Sequence, residues 1–304
     1  MRYDTPIHYY NPELTLEWLR DNCPVEEKYS RLLTIDRSAI RNDTAKTVIG
    51  VTLFCRDVND HTGACKANPD MWKKKYYNSL LKNISKIKDL GDVAVELFVD
   101  PELAGTVECI DDDRVNVHVM VEPANGFSGG FWRFLVTDVV DRDCLVVIQD
   151  IDQNWGDCVP MLQEYAPVAP SFPPRAEGAL VECKDTGSSK YTPIGAGMFS
   201  YKSSDVDFNM AEVIARYWHY NNMLMHVLEP RTEYNRPMRG HHFGFGNTWN
   251  VYGSDERFLA KFMYYYLARK SALNIMLHKG DFYHAAEQAS REFIHEHGGK
   301  VIYV

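Results

Sequence analysis

The run Leu145-Val146-Val147-Ile148-Gln149-Asp150-Ile151-Asp152 sets an unbroken apolar stretch directly ahead of two carboxylates separated by one residue. Apolar residues in succession, without alternation, are what a strand buried on both faces needs, because a sheet covered by helices leaves neither face wet. Working outward, a buried strand is expected at Thr47–Cys55, and further strands at Val93–Val99 and Val115–Val121. Between the first two of these, Tyr76, Leu80, Leu81, Ile84 and Ile87 fall at helical spacing within Trp72–Ile87, and a further helix is expected to open at Ser128, Gly129 and Gly130. Strand and helix in alternation predict an α/β fold with a mostly parallel central sheet flanked by helices. Such sheets take their ligands at the carboxyl ends of the strands, where Asp150 and Asp152 stand.

Beyond this unit a short helix is expected at Pro12–Leu19, longer ones at Val206–His226, Asp255–Lys270 and Phe282–His297, and a closing strand at Val301–Val304. Tyr165–Thr192 carries Pro167, Pro170, Pro173 and Pro174 and the run Gly187-Ser188-Ser189, and is expected to be a long loop able to order over a ligand. No low-complexity linker divides residues 1–304, which read as one domain.

A net charge of -9 argues against a surface that coats nucleic acid, which needs clustered Lys and Arg to neutralise phosphates. The one dense basic run, Lys73–Lys75, reads as a solvated helix face. Seven cysteines without a C-x-x-C pair signal neither a disulfide framework nor a zinc site and suit a reducing compartment. The N-terminal residues lack the apolar core of a signal peptide and no apolar run approaches membrane-spanning length, so a cytoplasmic protein without a membrane span is expected.

In a strand, the one-residue spacing of Asp150 and Asp152 would put both carboxylates on one face, where they could share a hard divalent cation, Mn²⁺ or Mg²⁺. The bland alternative is a strand end entering a turn. The stretch Gly129-Gly130-Phe131-Trp132-Arg133-Phe134-Leu135, followed by Val146–Asp152, resembles the block of GT-A glycosyltransferases in which a W-R-F helix precedes a strand ending in D-x-D. Pro193-Ile194-Gly195-Ala196-Gly197-Met198-Phe199 resembles the small-residue segment after their donor site, and Tyr252–Leu259 resembles their later Y-G-x-D-[QE]-x-F-L segment. The three blocks stand in the family's order, and the chain looks like members encoded by large algal viruses and by bacteria. Gln149 and Gln153 depart from the pattern, standing where many relatives carry Arg and Ser.

The resemblance implies a GT-A, Rossmann-like nucleotide-diphospho-sugar transferase fold. Residues 45–155 would form the donor-binding half and 156–304 the acceptor-binding and catalytic half, in the host cytoplasm if the source is viral. It implies a sugar moved from a nucleotide-diphosphate donor, of UDP type, to a glycan or glycoprotein acceptor, with inversion. Asp150 and Asp152 would hold the metal, with His278 as a late third ligand. Arg56, Asp57, Asp100, Arg133, Ile151, Gly195 and Gly197, together with Asp150, would line the donor site, and Asp255 would serve as base with Glu256 as the alternative. Oligomeric state stays open between monomer and dimer. Two other readings stay open as well: a non-catalytic carbohydrate-binding protein of the same fold, and a Mg-dependent nucleotidyltransferase. The latter would need a Gly-rich basic loop after the first strand, and Phe54–His61 holds no Gly and only Arg56.

Overall fold

Why the central strands form is plain from their burial. Thr47–Leu53 (β2), Val93–Val99 (β3), Val115–Met120 (β4) and Leu145–Gln149 (β5) are covered on both faces nearly throughout, so apolar residues are favoured at every position. In the computed structural model, which describes residues 14–54, 73–171, 197–228, 254–271, 273–277 and 295–303, these four strands run parallel and adjacent, in the order β4-β3-β2-β5. The exposed strand Ile35–Ala39 (β1) pairs antiparallel with β4 at one edge. Val168–Ser171 (β6), Met198–Lys202 (β7), Asn274–Leu277 (β8) and Val301–Tyr303 (β9) extend the other side. The full order among the described residues is β1-β4-β3-β2-β5-β7-β6-β8-β9.

The α/β class is as expected, but the sheet is mixed rather than mostly parallel, because β7 runs against both β5 and β6. Its Phe199 and Tyr201 face one apolar layer while Ser200 faces the other side, an alternation that suits a strand. The glycines just before it make the same stretch look like a loop. The expected loop at Tyr165–Thr192 is likewise interrupted by β6, whose backbone pairs in register with β8 from Val168↔Asn274 to Ser171↔Leu277 despite Pro170. Residues 172–192 lie outside the described residues, as does most of the helix expected at Phe282–His297.

Two layers cover the sheet. On one face Ile49, Val51, Val95 and Leu97 meet Leu80 and Ile84 of the helix Asn78–Lys86 and Trp155 of the helix Trp155–Tyr165. On the other, Val48, Phe98, Val146 and Ile148 meet an aromatic cluster. That cluster joins Phe131, Trp218 of the helix Met210–Leu228 and Phe258 of the helix Ser254–Phe258. Phe131 and Trp218 pack edge to face at 5.2 Å, a geometry that contributes roughly 0.5–1.5 kcal/mol beyond area burial. Two short helices at the amino-terminal end, Leu16–Asn22 and Glu27–Leu32, lie on Met210–Leu228, where Trp18 meets Tyr220 at 5.6 Å and Tyr29 meets Trp218 at 5.8 Å.

The helix expected to open at Ser128 begins as 3₁₀ turns over Ser128–Leu135 before Val136–Val139 becomes α-helical. Three residues per turn give it three distinct faces. Phe131 and Phe134 point into the aromatic cluster. Trp132 turns toward Phe54 and donates its indole N–H to the Leu32 carbonyl at 2.7 Å. Gly130 and Arg133 form the third face. The segment seats directly on β2 because Gly50 has no side chain: a Cβ there would lie 2.5 Å from the Arg133 carbonyl oxygen.

Candidate functional site

Arg133 is the centre of the site. One of its terminal nitrogens donates to Asp150 Oδ1 just past β5, and the other to Asp255 Oδ2 at the start of Ser254–Phe258. The 3₁₀ winding makes this possible, since Gly130, one turn earlier on the same face, leaves room for the Asp255 carboxylate. A Cβ at Gly130 would stand 3.1 Å from Asp255 Oδ2. The arginine side chain is 7% exposed, Asp255 15% and Asp150 43%, so the cluster opens to solvent on the Asp150 side. Burial works against the guanidinium charge, but the Asp150 and Asp255 carboxylates outweigh it and push its pKa further above the ordinary arginine value.

The pair Asp150 and Asp152 is not presented by a strand. β5 ends at Gln149, and the next residues form a turn held from beneath by other side chains. Asn83, buried in the helix Asn78–Lys86, donates to the carbonyls of Ile151 at 3.0 Å and Gln153 at 2.6 Å. The Trp155 indole donates to the Asp150 carbonyl at 2.9 Å. The same-face argument from strand spacing therefore does not apply. Asp150 leans on Arg133, while Asp152 points outward with its Oδ2 3.7 Å from Lys75 Nζ. Ile151 is buried in the opposite apolar layer with its carbonyl taken by Asn83.

Gly197 completes the rim. Its carbonyl accepts from the Asp150 N–H at 3.4 Å, and a Cβ on it would run into Asp150 Oδ2 and come within 2.6 Å of Gln153 Nε2. The glycine thus keeps the second oxygen of Asp150 uncrowded. Among the described residues, three buried polar atoms of this cluster and its neighbours have no hydrogen-bond partner: Arg133 Nε, Gln153 Oε1 and Ser254 Oγ. Buried polar groups are paired in the great majority of cases, so these atoms, next to a half-exposed carboxylate, are candidates for bonding to water or to a polar ligand.

Of the other expected site residues, Asp100 is fully buried and its carboxylate is engaged by backbone: Oδ1 accepts from Glu102 N–H at 3.0 Å and Oδ2 from Ala124 N–H at 3.0 Å. It caps a turn after β3 and anchors the approach to Ser128–Leu135. The structure does not bring it to Arg133. Arg56, Asp57, Gly195, His278 and the side chain of Glu256 lie outside the described residues. Lys75 is exposed on a helical turn, as read from sequence, and also stands beside Asp152. Gly50, Asn83 and Gly130 carry no local signal for their roles, except that a glycine inside an apolar strand run announces a close backbone approach.

Among the described residues no group of three or more His, Cys, Asp or Glu side chains is placed to hold a metal ion. Two carboxylates suit a cation held jointly with the oxygens of a bound diphosphate, the usual arrangement for Mg²⁺-like ions, rather than an all-protein cage. Asp150 Oδ2 beside Gly197 and the exposed carboxylate of Asp152 supply donors of the right kind. Among the described residues no helix is long and apolar enough to cross a membrane. Compared with protein-family models, with curated proteins and with solved structures, the chain matches none.

Proposed function

We propose that this chain is a divalent-cation-dependent glycosyltransferase that moves a sugar from a UDP-type donor to a glycan or glycoprotein acceptor with inversion. The observation that carries the reading is the placement of Arg133 between two carboxylates from different halves of the chain, one at the carboxyl end of a buried parallel strand. Asp150 and Asp152 would hold Mn²⁺ or Mg²⁺ together with the donor diphosphate. Once bound, that cation supplies neutralisation of charge on the departing diphosphate. In the transfer, an acceptor hydroxyl oxygen bonds to the anomeric carbon as the bond to the diphosphate oxygen breaks, and Asp255 takes the hydroxyl proton. Arg133 fixes the orientation of Asp255, and the unpartnered Gln153 amide oxygen and Ser254 hydroxyl are available to polar groups near the turn.

One observation favours a second reading: Arg133 already neutralises Asp150, as it would in a sugar-binding protein that does not turn over. A calorimetric panel of nucleotide sugars with and without Mn²⁺ separates the two. Binding of one UDP-sugar only with Mn²⁺, lost in Asp152→Asn, is the expected result. Failure of every donor to bind under both conditions would overturn the transferase reading.

A further inference from the structure

We infer that Arg133 is a built-in competitor of the divalent cation at Asp150, and that Asp255 sets how strongly it competes. The inference rests on the proposed function in one respect, that Asp150 is where a cation binds.

The geometry makes the competition direct. Arg133 grips Asp150 through Oδ1, one of the two oxygens a metal would use. Its backbone cannot retreat toward the sheet, because its carbonyl is already pressed on Gly50 of β2. The guanidinium is buried, with the Phe134 ring centroid 5.7 Å from its central carbon, so water cannot screen it as it would a surface arginine. A divalent cation arriving at Asp150 meets a fixed positive charge bound to the same carboxylate. It must displace one arm of the fork or share the carboxylate at the cost of repulsion.

Asp255 enters because the guanidinium divides itself between two partners. With Asp255 charged, the three side chains together carry one net negative charge, and the fork holds a second carboxylate when it loosens from Asp150. With Asp255 replaced by Asn, the cluster has no net charge and the fork has one strong partner left, the carboxylate the cation needs. Cation binding at Asp150 and the Arg133–Asp255 ion pair are therefore linked, and the linkage is reciprocal: a cation at Asp150 drives Arg133 toward Asp255. Binding of metal and donor would then fix Asp255 more firmly, before an acceptor arrives.

Mn²⁺ alone is the probe, with its affinity read from the free-ion paramagnetic resonance signal in the full-length wild type, Arg133→Gln, Asp255→Asn and the double variant. The expected order is at least fivefold tighter binding in Arg133→Gln and at least threefold weaker binding in Asp255→Asn. In the Arg133→Gln background, Asp255→Asn should change affinity less than it does in the wild type, since its effect runs through the arginine. Equal or weaker Mn²⁺ binding in Arg133→Gln overturns the inference, as does an Asp255→Asn effect that persists undiminished in the double variant, which would make Asp255 a direct ligand. If the Arg133→Gln proteins do not fold, Asp255→Asn decides alone, and unchanged affinity overturns the inference. The expected ranking combined with no nucleotide-sugar binding would remove the transferase reading and leave the inference standing, whereas Mn²⁺ binding by none of the four proteins overturns the inference and leaves the transferase reading to the nucleotide-sugar panel, in which the diphosphate supplies further oxygens.

Discussion

At Glu96 the sheet buries a carboxylate that accepts from Asn116 Nδ2 at 2.8 Å and lies 2.7 Å from His118 Nε2, while His118 Nδ1 reaches Ser38 Oγ at 2.8 Å and Asn116 Oδ1 takes the backbone N–H groups of Arg41 and Asn42. At Arg133 the same face of the sheet carries a second polar cluster, since register aligns Glu96 with Gly50, on which the Arg133 carbonyl rests. The first cluster has no orphaned side-chain atom. The second has several. A fully connected buried network rigidifies the strands it joins, here β1, β3 and β4, whereas an incompletely bonded one is an arrangement whose remaining partners arrive with a ligand. Both were built from similar residues on one surface, and only the bonding census separates architecture from site.

The hardest test of this contrast is Glu96→Ala, which strands His118 and Asn116 without their acceptor. We expect it to lower stability in chemical denaturation by about 3 kcal/mol, the scale for breaking a buried pair, with Mn²⁺-dependent UDP binding by the folded protein unchanged. Asp150→Asn should do the reverse. Asp150 is 43% exposed, so its pair with Arg133 is partly screened and its loss should change stability by under about 1 kcal/mol, while Mn²⁺-dependent UDP binding falls by a factor on the order of 100. A large stability loss there, with binding retained, would place Arg133 among the purely structural groups. Gly197→Ala pushes a methyl against Asp150 Oδ2 and Gln153; calorimetry should show UDP binding weakened about tenfold, with roughly 1 kcal/mol of overpacking cost. The smallest effect is expected for His118→Gln, which keeps a donor for Glu96: a stability change of under about 1 kcal/mol and no effect on binding. A loss as large as that of Glu96→Ala would show that the ring itself, stacked on Phe98 at 4.8 Å, carries the network.

The parallel strands could be read from sequence almost to the residue, because strands buried on both faces are rich in apolar residues, even where β3 and β4 carry the buried Glu96, Asn116 and His118. β1 lacks that richness: Ile35-Asp36-Arg37-Ser38-Ala39 lies exposed at the edge and is held by its pairing to β4. β7 was hidden by the glycines beside it. At the site, Asp150, Asp152, Arg133 and Gly197 stood out through local patterns. Their arrangement did not, since Arg133 and Asp255 lie 122 residues apart and meet through the absence of a side chain at Gly130. The turn that carries Asp152 depends likewise on Asn83, a residue from a different helix whose type predicts nothing about it.

The strand order has a consequence for the chain as it is made. β1 to β5 find all their mutual partners once Gln149 has left the ribosome, but β6, synthesised next, must wait for β7 and β8, because it lies between them. A nascent chain at that stage displays Asp150 and Arg133 with Asp255 still to be translated, and β6 as an unpaired edge in need of protection from other chains. Arrival of β7 closes the edge of β5 and sets Gly197 against Asp150, and the Asp255 segment then supplies the second carboxylate of the fork. The order of translation is thus also the order in which the site is assembled, and a stalled product would carry the acidic turn without the partner that completes it.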